Sequence, residues 1–180
     1  MSGGLQDPQP QDGVGLQDAF GRLYTPHRMA YIRGGGGGDQ SCPFCDIPQL
    51  ADADGLVVAR GTTAYVVLNL YPYNSGHVMV VPFRHVAGYD ELSSEEATEV
   101  AAMTQHALRA LRHATGAHGF NVGMNLGVVG GAGIAAHLHQ HVVPRWGGDT
   151  NFMSVVGATR IMPQLLPDTR ELLVSAWSQV

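Results

Sequence analysis

Three histidines that alternate with other residues constrain the fold of this chain more than any other feature. They are His137, His139 and His141, in the segment His-Leu-His-Gln-His-Val-Val-Pro. Side chains of a β-strand alternate between its two faces, so the three imidazoles are predicted to share one face of a strand. The two valines that follow favour a strand, and Pro144 is predicted to end it.

A glycine-rich run from Gly127 to Gly133 lies just before the histidines. Its backbone N–H groups can approach an anion closely, and imidazoles beside such a loop indicate chemistry at a phosphate. A polar strand face with solvated or buried histidines is a weaker interpretation, because three histidines alternate strictly. A zinc site is a further alternative, since His-x-His on a strand offers two nitrogens to one metal ion. The nearest carboxylate after the histidines, Asp149, weakens that alternative without removing it.

Composition excludes several classes of function. All ten basic residues are arginine, which excludes a Schiff-base lysine and a P-loop lysine. The formal net charge of −5 argues against a nucleic-acid partner. No apolar run approaches the roughly 20 residues that span a bilayer, and the N-terminus lacks a signal pattern, so we expect no membrane partner and a cytoplasmic location.

The 180 residues are predicted to form one folded domain with an N-terminal extension. Residues 1–15 are rich in Gly, Pro and Gln and are predicted to form a disordered tail. Residues 16–41 are predicted to form an arm that packs on the domain or on a second subunit, with a run of five glycines as a linker. Residues 42–180 are predicted to hold the domain and a C-terminal extension.

Local patterns predict the regular elements of this domain. Ser93 and Glu96 form a capping box, which predicts the start of a helix over residues 94–114. Asp168 is predicted to cap a C-terminal helix. Apolar, β-branched segments predict strands at residues 55–59, 64–70, 76–82, 119–127 and 150–156, in addition to the histidine strand.

Cys42 and Cys45 are the two cysteines of the chain and form a Cys-Pro-Phe-Cys motif. A surface disulfide is not expected in the cytosol. A redox site of this type needs a strand before the motif and a helix after it, whereas here a glycine linker precedes it and Pro48 interrupts any helix. Half of a tetrahedral zinc site and two reduced cysteines without metal are the remaining interpretations.

The segment His-Leu-His-Gln-His-Val-Val resembles the signature of the histidine triad (HIT) family, in which histidines alternate with apolar residues. Gln140 departs from that pattern, on the face opposite the histidines. The resemblance extends over most of residues 42–146. Three longer segments resemble actinobacterial HIT proteins of the diadenosine tetraphosphate phosphorylase type, at residues 68–74, 119–123 and 144–149.

This resemblance implies an α+β fold: an antiparallel sheet of about five strands, one long helix and a C-terminal helix, in a homodimer or larger assembly. The implied reaction cleaves a dinucleoside polyphosphate through a nucleotidyl-histidine intermediate. Diadenosine tetraphosphate with inorganic phosphate as acceptor would give ATP and ADP. Physical reasoning reaches the intermediate but does not choose between phosphate and water as the acceptor. No organic cofactor is implied.

The resemblance also assigns roles to individual residues. His139 is the implied nucleophile, and His141 is implied to bond the phosphate oxygens or the bridging oxygen. His137 is implied to orient its neighbour or to bind a metal ion. Related proteins with the cysteine motif complete a structural zinc site with two histidines, and the matching ligands here are Cys42, Cys45, His85 and His137.

The nucleotide-binding residues follow from the same resemblance. Asn69 matches a residue that bonds the ribose hydroxyls, and its alternative role is to satisfy the turn before Pro72. Asn125 is a candidate to face the site. Phe44, Ile47 and Leu68 match apolar positions of a base pocket, and plain core packing is an equal alternative for them.

Backbone donors of the glycine-rich loop are predicted to face the non-bridging phosphate oxygens, in the manner of an oxyanion hole. The stretch runs from Gly130 to Ile134 and includes Gly131 and Gly133. Many HIT hydrolases carry a hydroxyl or amide side chain where this chain has Gly133, so the loop here is predicted to offer backbone donors only.

Three other functions compete with this prediction. A hydrolase of nucleoside phosphoramidates or other nucleotidyl conjugates would use the same chemistry. A non-catalytic adenine-nucleotide sensor would bind nucleotides and leave them intact. A zinc hydrolase would use the histidine row as its metal site. Other histidines are predicted to be structural, solvated or packed, namely His77, His106 and His113.

Overall fold

The computed structural model describes residues 42–149 and 162–180. The predicted tail and arm, and the strand predicted at 150–156, lie outside the described residues. No helix within the described ranges is both long and apolar enough to cross a membrane.

The described elements form an α+β arrangement of five strands and three α-helices. In chain order they are α1 (Pro43–Asp46), a 3₁₀ turn (Ile47–Gln49), β1 (Val57–Arg60), β2 (Ala64–Leu68), β3 (Val78–Pro82), a 3₁₀ turn (Tyr89–Glu91), α2 (Ser94–Thr115), β4 (Gly119–Met124), β5 (Gln140–Arg145) and α3 (Leu166–Trp177). The predicted fold class is confirmed.

The five strands form one sheet in the order β1-β2-β3-β5-β4, and every neighbouring pair is antiparallel. Val67 of β2 lies opposite Met79 of β3, and Met79 lies opposite His141 of β5. These three residues therefore share one face of the sheet, because directly paired residues point the same way.

The two faces of the sheet carry different apolar clusters. On one face, residues of β2, β3 and β5 such as Val66, Val80 and Val142 pack with residues of α2 and with Leu173 of α3. On the other face, Tyr65, Val67, Met79 and Val81 pack with Phe44 of α1. We call these the helix face and the histidine face of the sheet.

Helix α2 has the predicted capping box. The Ser93 hydroxyl accepts from the Glu96 N–H at 3.1 Å, and the Glu96 carboxylate accepts from the Ser93 N–H at 2.8 Å. Gly116 ends the helix in the left-handed conformation, at φ 63°, which costs glycine little. The predicted boundaries of 94–114 are confirmed to within one residue.

The start of α3 differs from the prediction. Leu165 occupies the N-cap position without a side-chain cap, and Asp168 lies inside the first turn. Pro167 explains the shift, since proline fits the first helical turn, where its missing N–H has no partner to lose. Arg170 ties α3 to the sheet by donating from Nε to the Val57 carbonyl at 2.7 Å.

Strand β5 also differs from the prediction, at both ends. It runs past Pro144 to Arg145, and Pro144 lies opposite Phe120 of β4. Only Gln140–Val142 pair with β3. Proline is therefore tolerated, because it lies where β5 pairs on one side only.

Candidate active site

The three histidines keep their predicted alternation, although most of the segment is not a strand. Strand β5 begins at Gln140, so of the three only His141 lies within it. Leu138 anchors the preceding residues by donating its N–H to the Val86 carbonyl at 2.7 Å. All three histidines are buried, at 0%, 6% and 9% exposure for His137, His139 and His141.

Gln140 points the opposite way, to the helix face. Its amide nitrogen donates to the hydroxyl of Thr104 on α2 at 2.6 Å, and that hydroxyl donates to the Val100 carbonyl at 2.7 Å. The departure from the family pattern at position 140 is therefore matched by a buried polar partner on the long helix.

His139 is held in one tautomer by the backbone. Its Nδ1 lies 2.8 Å from the His137 carbonyl oxygen, which can only accept a hydrogen bond. Nδ1 therefore carries the proton, and Nε2 keeps its lone pair. Burial lowers the pKa of His139 below its ordinary value. A neutral imidazole with Nε2 as its basic nitrogen is the form that acts as a nucleophile.

His141 is fixed in the opposite tautomer through His77. The Tyr73 backbone N–H donates to His77 Nδ1 at 3.0 Å, so the proton of a neutral His77 is on Nε2. His77 Nε2 then donates to His141 Nδ1 at 2.9 Å. The remaining nitrogen of His141, Nε2, therefore carries its proton and is a donor. The rings of His139 and His141 are 4.9 Å apart, so the donor lies beside the nucleophile.

His77 belongs to the site because it orients His141, whereas the sequence analysis predicts only a structural role for it. It is completely buried, and burial followed by the neighbouring charges of His141 and His139 lowers its pKa to about 3. It stays neutral near pH 7 and keeps the tautomer that orients His141. A polar residue just before an apolar strand is the sequence signal for such a role. The signal does not identify the partner, His141, which lies 64 positions further along the chain.

The four predicted metal ligands lie together. One donor atom from each of Cys42, Cys45, His85 and His137 lies within 4.8 Å of the others. His137 Nδ1 is 3.3 Å from the Cys42 sulfur and 3.5 Å from the Cys45 sulfur, and His85 Nδ1 is 3.3 Å from the Cys45 sulfur. The structure thus contains a Cys₂His₂ cluster at the first histidine of the row.

The chemistry of this cluster fits a metal ion. His137 Nε2 donates to the Pro82 carbonyl at 2.9 Å, which leaves Nδ1 deprotonated and aimed at the sulfurs. Both cysteines are free thiols. Burial and the neighbouring Cys42 sulfur raise the pKa of the Cys45 thiol. A cation among the four atoms would stabilise the thiolates that burial alone disfavours.

Asn69 makes the turn contact that was its alternative role. Its amide oxygen accepts from the Tyr71 N–H at 2.9 Å, and its amide nitrogen lies 3.4 Å from His77 Nδ1. Asn69 therefore supports both the turn and the tautomer of His77. Its predicted contact with ribose stays a prediction.

The glycine-rich loop forms a tight turn next to the histidines. A Cβ on Gly130 would lie 2.2 Å from the Leu126 carbonyl oxygen, so only glycine fits there. The Gly131 N–H donates to the Val128 carbonyl at 3.0 Å. This donor closes the loop itself, and the predicted contact of Gly131 with a ligand stays a prediction. Gly133 is exposed.

The predicted base-pocket residues fall on both faces of the sheet. Leu68 belongs to the cluster on the helix face, which agrees with the core packing that was its alternative role, and its place in a nucleotide pocket stays a prediction. Phe44 is buried on the histidine face, with its ring 4.9 Å from that of His139. Ile47 and Ile134 pack at the border of the same cluster. Asn125 is half-buried just after β4.

Comparison with known proteins decides the family. The family model of the HIT domain matches residues 51–148. This chain belongs to the HIT family. A HIT protein of Mycobacterium tuberculosis, named AP-4-A phosphorylase, is 49% identical over 174 residues, which cover 93% of this chain and 89% of that protein.

Other HIT proteins resemble the chain less closely. A zinc-bound histidine triad protein from Mycobacterium smegmatis superposes with a TM-score of 0.64 at 29% identity, covering 79% of this chain and 96% of that one. An adenosine 5'-monophosphoramidase from Schizosaccharomyces pombe is 28% identical over 105 residues, covering 58% of this chain and 74% of that protein.

Proposed function

We propose that this HIT protein cleaves diadenosine tetraphosphate with inorganic phosphate as the acceptor, giving ATP and ADP. The observation that carries the proposal is the hydrogen bond from His139 Nδ1 to the His137 carbonyl, which leaves a neutral, buried imidazole with Nε2 as its lone-pair nitrogen. The 49% identity to the M. tuberculosis phosphorylase supports the choice of substrate and acceptor.

The reaction has two displacements at one phosphorus. In the first, the lone pair of His139 Nε2 attacks the α-phosphorus, the bond to the bridging oxygen breaks, and ATP leaves with that oxygen. In the second, an oxygen of inorganic phosphate attacks the same phosphorus, the phosphorus–nitrogen bond breaks, and ADP leaves. The His139 lone pair is restored at the end of each cycle.

His141 assists the departure of the first product. Its Nε2–H is a donor that lies beside the nucleophile and can bond the bridging oxygen or a phosphate oxygen as negative charge develops there. The neutral state of His77 keeps this donor in place, because a neutral His77 donates to His141 Nδ1.

The nucleotide contacts complete this proposal. The amide oxygen of Asn69 has a second lone pair for a ribose hydroxyl. Backbone N–H groups of Gly133 and Ile134 are the proposed donors to the phosphate oxygens. Phe44, Ile47 and Ile134 border the proposed base pocket on the histidine face.

Zinc is the proposed metal of the Cys₂His₂ cluster, since two thiolates and two imidazoles are the ligands that tetrahedral structural zinc takes. The ion would hold α1 against His137, and no step of the reaction runs through it. The zinc-bound HIT protein of M. smegmatis supports this choice. Metal analysis of the purified protein by atomic emission tests it.

A homodimer is also proposed, and light scattering in solution would test it.

The first test is incubation with diadenosine tetraphosphate, with and without inorganic phosphate, followed by chromatography of the products. Phosphate-dependent ATP and ADP are expected. His139→Asn should lower the rate by more than about 1,000-fold, as loss of a nucleophile does. His106→Asn, on the helix face of the domain, is the matched control and should keep the rate.

Other products would identify other functions. AMP and ATP without phosphate would show a hydrolase with the same nucleophile. Cleavage of a nucleoside phosphoramidate but not of the dinucleotide would favour the second candidate, which the similarity to the S. pombe phosphoramidase supports. Tight nucleotide binding without turnover in either assay would contradict the enzymatic proposal and indicate a sensor.

A further inference from the structure

The turn that carries both cysteines lacks one of its own backbone donors. Helix α1 spans Pro43–Asp46, and the Ile47 N–H donates to the Pro43 carbonyl as a helix requires. The next bond of that pattern would run to the Phe44 carbonyl from the residue four positions later. That residue is Pro48, which has no N–H. The Phe44 carbonyl therefore needs a donor from elsewhere, because a buried carbonyl without one is costly.

Tyr65, in strand β2 of the sheet, supplies that donor. Its hydroxyl donates to the Phe44 carbonyl oxygen at 2.7 Å, across 21 positions of sequence. Tyr65 is completely buried in β2, and its ring stacks on Phe83 with 5.2 Å between the centroids. Burial, and then the charges of Cys42 and Cys45, raise the pKa of Tyr65, so the hydroxyl keeps its proton.

The anchored turn touches both parts of the site. Its cysteine sulfurs lie 3.3 and 3.5 Å from His137 Nδ1. Its phenylalanine ring, on Phe44, is 5.6 Å from the His137 ring and 4.9 Å from the His139 ring. A shift of this turn would therefore move metal ligands and the packing of the nucleophile together.

We propose that Tyr65 is a positioning residue, whose hydroxyl replaces the backbone donor that Pro48 lacks and holds the Cys42–Cys45 turn in its ligating position against His139. The role of Tyr65 toward the metal rests on the proposed zinc site. Its role toward the turn does not, because the hydrogen bond is made by side chain and backbone alone.

The test removes one oxygen atom. Tyr65→Phe keeps the buried ring and its stacking on Phe83. Zinc affinity, measured by competition with a chromophoric chelator, should fall by about 10- to 100-fold, as for other outer-shell partners of metal ligands. In the metal-free protein, the two thiols should react faster with a maleimide. Tyr89→Phe, in an exposed 3₁₀ turn, is the matched control and should change neither quantity.

A second variant tests the cause. Asp46 and Ile47 have helical backbone angles, so an N–H at position 48 would point toward the Phe44 carbonyl. Pro48→Ala restores that N–H, and adding it to Tyr65→Phe should recover zinc affinity and thiol protection. Unchanged zinc affinity and thiol rates in Tyr65→Phe would overturn the proposal. It would also be overturned if Tyr65→Phe lost zinc affinity, thiol protection or the ability to fold and adding Pro48→Ala did not restore what was lost. A wild-type protein that binds no zinc would overturn the zinc site alone, and the thiol rates would still decide the role of Tyr65.

Discussion

At the scale of single residues, the site works through the placement of protons. His139 and His141 lie next to each other with opposite tautomers, one presenting a lone pair and the other an N–H. The difference comes from their partners, a carbonyl oxygen for His139 and the Nε2–H of His77 for His141. A buried, neutral His77 therefore determines which nitrogen of His141 faces the substrate as a donor.

His77 also links stability to pH. Its pKa is lowered to about 3 in the folded protein, whereas an unfolded chain would show the ordinary value near 6.5. The unfolded state therefore binds more protons between these values, and the stability contributed by neutral His77 is complete above pH 6.5 and is lost as the pH falls. Between pH 7 and pH 5 this contribution amounts to about 2 kcal/mol.

The variant His77→Asn should remove that part of the pH dependence and should also lower kcat, because His141 loses its donor. Urea unfolding at pH 7 and pH 5 measures the first effect, and the cleavage assay measures the second. If stability falls equally in the variant and the wild type between pH 7 and pH 5, the folded protein does not lower the pKa of His77, which would contradict this prediction.

At the scale of elements, the hydrogen bond between Gln140 and Thr104 joins the histidine segment to α2. Because β5 begins only at Gln140, this bond fixes the first residue of the strand beside His139. Thr104 keeps its own bond to the Val100 carbonyl when Gln140 is replaced, so Gln140→Leu leaves no hydroxyl without a partner.

A double-mutant cycle of Gln140→Leu and Thr104→Val should give a coupling energy of about 1 kcal/mol in urea unfolding. Thr98→Val is the matched control, since Thr98 is on the same helix and makes the same type of bond, to the Ser94 carbonyl, in solvent. A coupling no larger than that between Gln140→Leu and Thr98→Val would show that the contact contributes nothing to stability.

Elements determined by neighbouring residues were predictable from the sequence. The capping box of α2 is an example, because Ser93 and Glu96 are three positions apart. The faces of β2 were not predictable, since all five of its residues are buried and alternation leaves no polar trace. The sequence therefore left a pocket role and a core role open for Leu68, and in the structure it packs in the cluster on the helix face. His77 was missed for a related reason, because the pairing of β3 with β5 brings it to His141.

At the scale of the whole molecule, α3 closes the helix face of the sheet. Leu173 is 1% exposed and packs in the same cluster as α2 and the central strands, while Val174 beside it is 37% exposed. The ring of Trp177 stacks on His106 of α2 at 4.1 Å. Helix α3 is thus part of the core.

Leu173→Ala should lower the free energy of unfolding by about 2–5 kcal/mol, the usual cost of such a cavity in a core. Val174→Ala is the matched control and should cost no more than about 0.5 kcal/mol, because its side chain is largely at the surface. Urea unfolding of both variants measures the difference. Equal effects would mean that α3 is an appendage and not part of the core.

The backbone control of tautomers has a consequence for how this protein can diversify. The proton on each of the three histidines is placed by a main-chain group, directly for His137 and His139 and through His77 for His141. Substitutions of side chains around the substrate do not alter main-chain donors and acceptors while the fold is kept. Such a scaffold can acquire new substrates by exchanging pocket residues while the nucleophile and its neighbouring donor stay the same. The type of reaction and the choice of substrate can therefore evolve separately.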